Sequence, residues 1–299
     1  MRLLYSRHLE HFLAVYDTRS LRKAADVCSV TQPALSKSLQ TLEAALSVTL
    51  FERSATGMEP TAAAHIVRRH GQHIVNSSRY IGMEIAMLRG GEAGELRIGS
   101  GIVWSATRMP ALLAALHARY PKLEITMHSG MADQLLPRLL DGQIDVMLGA
   151  LPLEPLPPGY DVHELPAAEV RVFCRRGHPL TRLAPVSLRQ VAEHDFVGFS
   201  DDFESQRQAG LRFADTGLTA ARTILRSSSL ETLLATVAAS DSLTLLSDLL
   251  LERAEAAGLQ QLQLDAPLWR IRLGICYRAQ SIELAPLRTL VDMAMKPAD

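Results

Sequence analysis

The segment Thr31 to Glu43, with its flanks from Thr18 to Pro60, restricts the possible folds of this chain more than any other stretch. Thr31 supplies a capping hydroxyl, and Pro33 fits a first helical turn, where its missing N–H is not needed, so a helix starts here. At about 100° per residue, Leu35, Leu39, Leu42 and Leu46 fall within about 60° of one another, while Pro33, Ser36, Lys37 and Gln40 centre on the opposite side. One face is core and the other is short and polar. Upstream, Leu9, Phe12, Leu13 and Tyr16 repeat at helical spacing. Leu21 to Val27 reads as a second short helix whose Ala24-Ala25 pair permits close crossing. The last two helices meet in a tight turn at Cys28-Ser29-Val30, the pattern of a helix-turn-helix, whose second helix enters a DNA major groove with its N-terminal residues against base edges. Periodicity alone also fits a plain solvated helix face.

Residue order decides between the two. Ser20-Leu21-Arg22-Lys23-Ala24-Ala25, then Val30-Thr31-Gln32-Pro33-Ala34-Leu35-Ser36, Leu42-Glu43 and Leu50-Phe51-Glu52-Arg53 closely resemble the N-terminal winged helix-turn-helix of the LysR-type transcriptional regulators. The chain departs from the family pattern at Arg19, Ser47 and Ala64, where glycine is usual, and at Cys28, where leucine is usual; these positions touch turns and core, not the polar face. The resemblance implies a DNA-reading set of Thr31, Gln32, Pro33, Ser36, Lys37 and Gln40. Leu46 to Pro60 is too short for another helix, and Phe51 to Gly57 within it reads as a β hairpin, a wing. In the family the wing lies along the minor groove, which makes Arg53 and Thr56 contact candidates; otherwise Arg53 simply pairs with a neighbouring acid.

From Thr61 to Arg89 a long helical run carries apolar or amphipathic pairs every seven residues, at Ile66/Val67, His73/Ile74, Tyr80/Ile81 and Met87/Leu88. Such a repeat keeps one seam facing a partner helix, so Ile66, Val67, Ile74, Ile81 and Leu88 are expected at a dimer interface; Gly71 and Ser77-Ser78 weaken the helix, and packing against its own domain is the other reading. The resemblance implies the same: a linker helix pairing two chains, in a homodimer or homotetramer, with RNA polymerase as a further partner. His65, His70 and His73 have no cysteine or carboxylate companions, and no metal site is expected. Gly90-Gly91 and Gly94 then break the helix.

Charge is uneven along the chain. The 299 residues carry a formal net charge of −1, but the first ninety hold 11 Lys+Arg against 7 Asp+Glu, leaving 20 against 25. A basic front and acidic back fit a phosphate-binding module joined to a non-binding one. Cys28, Cys174 and Cys276 are odd in number and far apart, so neither a disulfide framework nor a zinc site is signalled, and buried thiols in a cytoplasmic protein are expected. No run of residues has the length of a signal peptide or membrane span.

After Glu95 strands alternate with helices. Strands are expected at Leu96–Gly99, Leu123–Met127 and Ile144–Leu148, with helices at Thr107–Arg119 and Asp133–Leu140, a βαβαβ unit with a parallel sheet. Pro152 to Gly159 reads as a loop. A second unit takes strands at Val170–Cys174, Phe196–Phe199, Thr223–Leu225 and Leu243–Leu246 and helices at Gln206–Ala214 and Leu230–Ala239; Ile271–Tyr277 and Leu284–Met295 return to the first. Tyr120-Pro121-Lys122-Leu123-Glu124, Asp141-Gly142-Gln143-Ile144-Asp145 and Gly177-His178-Pro179-Leu180 resemble the effector-binding domain of the same family. The expected architecture is therefore an α+β multidomain protein: a winged helix-turn-helix over 1–61, a linker helix over 62–91, and a two-lobed α/β effector domain of the periplasmic-binding-protein type over 92–299. Its first lobe takes about 92–165 and 267–299, its second about 166–266.

Walker, GxGxxG, HExxH and GxSxG motifs are all missing, and no nucleophile or base can be named for an enzyme. Acidic pairs such as Asp201-Asp202 read as solvated charge. Hydroxyls at expected strand ends are more suggestive, because open α/β sheets bind ligands beyond the carboxyl ends of their strands. Ser100, Ser129, Ser200 and Ser228, with Trp104, Gly130 and Phe199 beside them, are the candidate effector site, although each serine alone could be a helix cap. Neutral hydroxyls and free N–H groups suit a small organic acid or a similarly polar metabolite, and no other cofactor is expected. A secreted solute-binding protein is the rival reading; it would need a secretion signal and no DNA-reading helix.

Overall fold

The computed structural model describes residues 6–54, 57–88, 94–218 and 221–296, the side chains of 87 and 88 excepted. It divides into two compact units, residues 1–95 with 140–143 and residues 96–139 with 144–299.

The first unit opens with three helices, α1 (Arg7–Thr18), α2 (Leu21–Cys28) and α3 (Gln32–Leu46), followed by the strands β1 (Phe51–Ser54) and β2 (Gly57–Pro60) and the long helix α4 (Ala62–Leu88). Capping chemistry sets the three starts: Ser6, Ser20 and Thr31 each accept a backbone N–H with the side-chain oxygen, satisfying donors that a helix cannot pair internally. The core gathers Phe12, Ala24, Ala25, Leu35, Leu39, Leu50 and Phe51. Leu46, expected among these, is 44% exposed: it is the last residue of α3, past the point where α1 and α2 cover the helix. β1 and β2 pair antiparallel from Phe51↔Pro60 to Ser54↔Gly57, the expected wing.

Two of the four departures from the family pattern, Arg19 and Ser47, fall where backbone geometry matters, while Cys28 and Ala64 are core residues. Arg19 and Ser47 are C-caps in the left-handed region, each at φ 54°, where an L side chain is strained by about 1–2 kcal/mol and glycine is not. Arg19 is partly compensated, its guanidinium lying 4.5 Å over the Tyr16 ring. Ser47 is exposed. Ser47→Gly should therefore stabilise the protein by about 0.5–1 kcal/mol after the greater unfolded-state freedom of glycine is deducted. Urea unfolding measures this, and a midpoint lower than the parent's would show that the serine hydroxyl outweighs the strain.

In α4, Val67 was expected on the outer seam but packs on the core of its own unit, and Tyr80 is buried too. Val67 follows Ile66 and Tyr80 precedes Ile81, so each is turned by about 100° from its seam neighbour. Ile66, Ile74, Ile81 and also Ile85 are 44–55% exposed. Leu88 ends the helix, and its side chain lies outside the described residues, as do Gly90 and Gly91.

The second unit contains β3 (Gly94–Gly101), α5 (Ile102–Ala106), α6 (Met109–Arg119), β4 (Leu123–Gly130), α7 (Ala132–Leu140), β5 (Val146–Ala150), β6 (Tyr160–Arg175), α8 (Leu188–Ala192), β7 (Phe196–Phe199), α9 (Phe203–Ala214), β8 (Thr223–Ser227), α10 (Leu230–Ala238), β9 (Thr244–Ser247), α11 (Leu251–Ala256), β10 (Leu259–Gln261), β11 (Arg270–Arg278) and α12 (Ala285–Met295). One sheet runs β10-β6-β11-β5-β3-β4, with β9 also on β6, and β7 pairs with β8 apart from it. β3 and β5 are parallel as expected, but β11 lies antiparallel to both β5 and β6, so the sheet is mixed. β6 is far longer than the five residues expected, pairing with β11 through Tyr160–Glu169 and with β9 through Val170–Phe173. This single strand therefore joins the two lobes. Thr107, expected to begin a helix, sits in the break between α5 and α6.

Gly177-His178-Pro179-Leu180 is a built turn: Gly177 has φ 71°, and His178 is fully buried. His178 Nδ1 accepts the Leu180 N–H at 3.2 Å, leaving Nε2–H to donate to the Asp241 carbonyl at 3.2 Å. Burial lowers the pKa of the ring below the ordinary histidine value, in keeping with a neutral tautomer fixed by both bonds.

Candidate nucleic-acid interface and interlobe cavity

On α3 the residues Gln32, Pro33, Lys37 and Gln40 are exposed, Ser36 is half-buried, and Thr31 stands at the cap. Spacings of three and four place these on one side of the helix. The opposite side is locked by polar contacts that the periodicity did not reveal. Ser38 is buried, and its hydroxyl meets His8 Nδ1 at 2.7 Å and His11 Nδ1 at 2.8 Å, both on α1. Burial holds the pKa of His11 below its ordinary value. Glu43 Oε1 accepts the N–H groups of Leu50, at 2.7 Å, and Phe51, at 3.4 Å, fixing the start of the wing against α3. Arg53 is exposed on β1, as are Arg22 and Lys23 at the start of α2, two cations absent from the sequence-derived set. Thr56 lies outside the described residues.

A cavity of about 550 Å³ lies between the lobes of the second unit. Its floor comes from the carboxyl ends of β3, β4 and β5, at Gly101, Gly130 and Gly149. Gly149 adopts φ 147°, and a Cβ there would stand 3.1 Å from the Gly101 backbone, so neither conformation nor space admits a larger residue. Trp104, Trp269 and Phe199 supply aromatic walls, and Met147, Leu246 and Leu250 are among the aliphatic ones. Gln134 Nε2 on α7 donates to Asp201 Oδ2 at 2.9 Å, tying the first lobe to the loop before α9. A smaller cavity of about 240 Å³ in the second lobe shares Phe199, Asp202, Ser205 and Leu245 with it.

Of the expected effector set, Trp104, Gly130 and Phe199 line the cavity and the four serines do not. Ser100 is fully buried, its hydroxyl directed at the Gly101 carbonyl. Ser129 and Ser228 are exposed, and Ser200 is half-buried outside the lining. A strand end brings its last backbone atoms to the cleft, but the next side chain points to either face according to the twist of the loop. The organic acid was inferred from these hydroxyls, and the cavity does not supply them. Its polar groups are instead the carboxylates of Asp133, Glu154, Asp202 and Glu204 and the guanidiniums of Arg270 and Arg272. Asp202 was read as solvated charge. It caps α9 by accepting the Ser205 N–H at 3.1 Å, and burial raises its pKa above the usual carboxylate value.

No group of three metal-binding side chains occurs among the described residues. Likewise, no helix among them is long and apolar enough to cross a membrane.

Two family models match: the bacterial regulatory helix-turn-helix protein, lysR family, over residues 6–65, and the LysR substrate binding domain over residues 89–297. The DNA-binding transcriptional dual regulator OxyR of Escherichia coli K12 is 30% identical over 293 residues, covering 95% of this chain and 91% of its own. The HTH-type transcriptional regulator GbpR of Azospirillum brasilense is 30% identical over 239 residues, 80% of this chain and 70% of its own. A full-length OxyR variant from Pseudomonas aeruginosa superposes with TM-score 0.70 at 21% identity, over 95% of this chain and 92% of that one. Full-length CbnR complexed with its target DNA gives 0.61 at 21% identity, over 96% and 99%. The solute-binding rival has no place for the first of the two family modules. The chain belongs to the LysR-type family of DNA-binding, effector-responsive transcriptional regulators, and is a regulator rather than an enzyme.

Proposed function

We propose that this regulator reads its operator with Gln32, Pro33, Ser36, Lys37 and Gln40 in the major groove, Thr31 at the helix start, and Arg53 with Thr56 on the wing. The exposed polar face of α3 carries the reading. Its back is held by Ser38 and its C-terminal end by Glu43, so a side chain on the front can change without moving the helix. Domain limits of 1–61, 62–91 and 92–299 fit this division of labour. Two such heads, brought together by Ile66, Ile74, Ile81 and Ile85 of paired α4 helices, would read the two halves of a palindromic site. A homotetramer, RNA polymerase as a partner and a cytoplasmic location complete the reading.

Lys37→Ala is the direct test. A lysine on a phosphate contributes about one unit to the slope of log affinity against log salt, whereas a base-edge contact is worth about 1–3 kcal/mol of discrimination. Operator binding by the variant should weaken, with the melting temperature unchanged because Lys37 is exposed. An unaltered affinity and salt slope would remove Lys37 from the interface.

We further propose the interlobe cavity as the effector site, with Trp104, Gly130 and Phe199 retained from the sequence-derived set. Some relatives are named hydrogen peroxide-inducible genes activators. Peroxide chemistry does not fit this chain. Its three cysteines are buried, and burial pushes the thiols of Cys174 and Cys276 up to about 11. Since the thiolate is the reacting form, only about one such thiol in ten thousand is reactive at neutral pH. A bound small molecule is therefore the signal.

A further inference from the structure

Charge pairing within the interlobe cavity specifies the effector's chemistry, an inference that rests on the cavity being the effector site. Six charged side chains line it. Arg270 is engaged by Glu169 at 2.7 Å and Arg272 by Glu164, both acids lying outside the lining. Glu204 is held by Arg207 at 2.8 Å. Asp133, Glu154 and Asp202 have no cationic partner among the described residues. Both guanidiniums of the wall are thus engaged, Arg270 sharing Glu169 with Arg171, and three carboxylates are left. One of them, Asp202, is half-buried, and Asp133 and Glu204 reinforce the effect of desolvation in raising its pKa. An incoming carboxylate would meet repulsion here with no free cation to offset it.

The walls point the same way. Both of the chain's two tryptophans, Trp104 and Trp269, line this cavity with Phe199. Tryptophan faces are the strongest aromatic partners of organic cations, more so when water is excluded; the Arg108 guanidinium already lies 4.7 Å over the Trp104 ring, so Trp269 is the face left for a ligand cation. Trp104 is only 2% exposed, and its Nε1–H has no acceptor among the described residues. A buried donor without a partner is costly, and a ligand atom with a lone pair in this cavity would satisfy it. The volume, about 550 Å³, lies within the range of pockets that enclose a whole small molecule.

We infer that the effector is an amphipathic organic cation: an aromatic or aliphatic body, a protonated nitrogen held by Asp202 and Asp133, and a hydrogen-bond acceptor for Trp104.

Tyramine is a suitable probe, compared with phloretate and tyrosol, which replace its ammonium by a carboxylate and a hydroxyl on nearly the same skeleton. Because both tryptophans line the cavity, intrinsic fluorescence reports occupancy and the melting temperature reports binding independently. In the full-length protein tyramine should change both and bind at least about ten-fold more tightly than either analogue. Asp202→Asn retains a capping side chain for α9. It and Asp133→Asn should each lower tyramine affinity about ten-fold while leaving that of tyrosol unchanged. If phloretate or tyrosol binds as tightly as tyramine, or if both variants keep the parent's tyramine affinity, the cationic assignment is overturned and the effector cavity stands. If none of the three alters fluorescence or melting temperature, the cavity assignment falls along with it.

Discussion

Replacing Asp145 with alanine will lower the free energy of unfolding by about 3–5 kcal/mol, the usual consequence of removing one partner from a buried ion pair. Its side chain is fully buried. It accepts the Arg97 backbone N–H at 2.8 Å and an Arg97 guanidinium N–H at 3.4 Å, while its own N–H donates to the Arg97 carbonyl at 2.7 Å. The alanine variant would take the buried carboxylate away from a side chain only 18% exposed and remove the acceptor that the Arg97 backbone N–H now uses. Asp145→Asn keeps an acceptor for that N–H and should be the milder change. These contacts pin β3 against β5, the two strands whose far ends deliver Gly101 and Gly149 to the cavity. Effector binding should therefore weaken in parallel with stability. Urea unfolding is the measurement, and a loss below about 1 kcal/mol for the alanine variant would mean that the pair is compensated by solvent.

Asp145 also shows what a sequence can and cannot reveal. The phrase Asp141-Gly142-Gln143-Ile144-Asp145 was recognisable, but the role of its aspartate depends on Arg97, forty-eight residues earlier, and no local pattern carries that pairing. The helix-turn-helix was legible because its determinants are local: caps at Ser20 and Thr31, a proline in the first turn, an apolar stripe. Even there the stripe overreached by one turn, to Leu46, since periodicity says which way a residue faces and not where the neighbouring helices end.

β6 was only partly recognised for a related reason. Tyr160-Asp161-Val162-His163-Glu164 is polar enough to resemble loop, and becomes strand through antiparallel pairing with β11, more than a hundred residues away. The cavity was least legible. Serines at strand ends and acids in a polar loop have the same local signature whether they face solvent or a cleft. Only lobe closure, set by β6 and by the Gln134–Asp201 contact, separates Asp202 from Ser200. The useful signal was the placement of both tryptophans, of which the sequence reading used one.

Ile74→Asp is the second large effect expected, on assembly rather than folding. Ile66, Ile74, Ile81 and Ile85 are 55, 51, 44 and 44% exposed. At about 100° per residue they occupy an arc of about 100° on α4, with Ile74, Ile81 and Ile85 within about 40° of one another. Four isoleucines on one stripe are left about half exposed among the described residues, and covering the exposed half of each against another helix contributes about 0.7–1.5 kcal/mol. LysR-type regulators oligomerise, and this stripe is where two chains would pair. A carboxylate at position 74 would be enclosed between the helices without a counterion, at several kcal/mol, enough to separate the subunits. The folded chain should survive, because Ile74 makes little use of its own core. Sedimentation of the variant should therefore show a smaller, still folded species. Operator affinity should drop with it, since each head alone forfeits the other's contribution to a palindromic site. Ile74→Ala should fall between the two. An oligomer as tight as the parent's in the aspartate variant would mean that α4 meets its partner through another face.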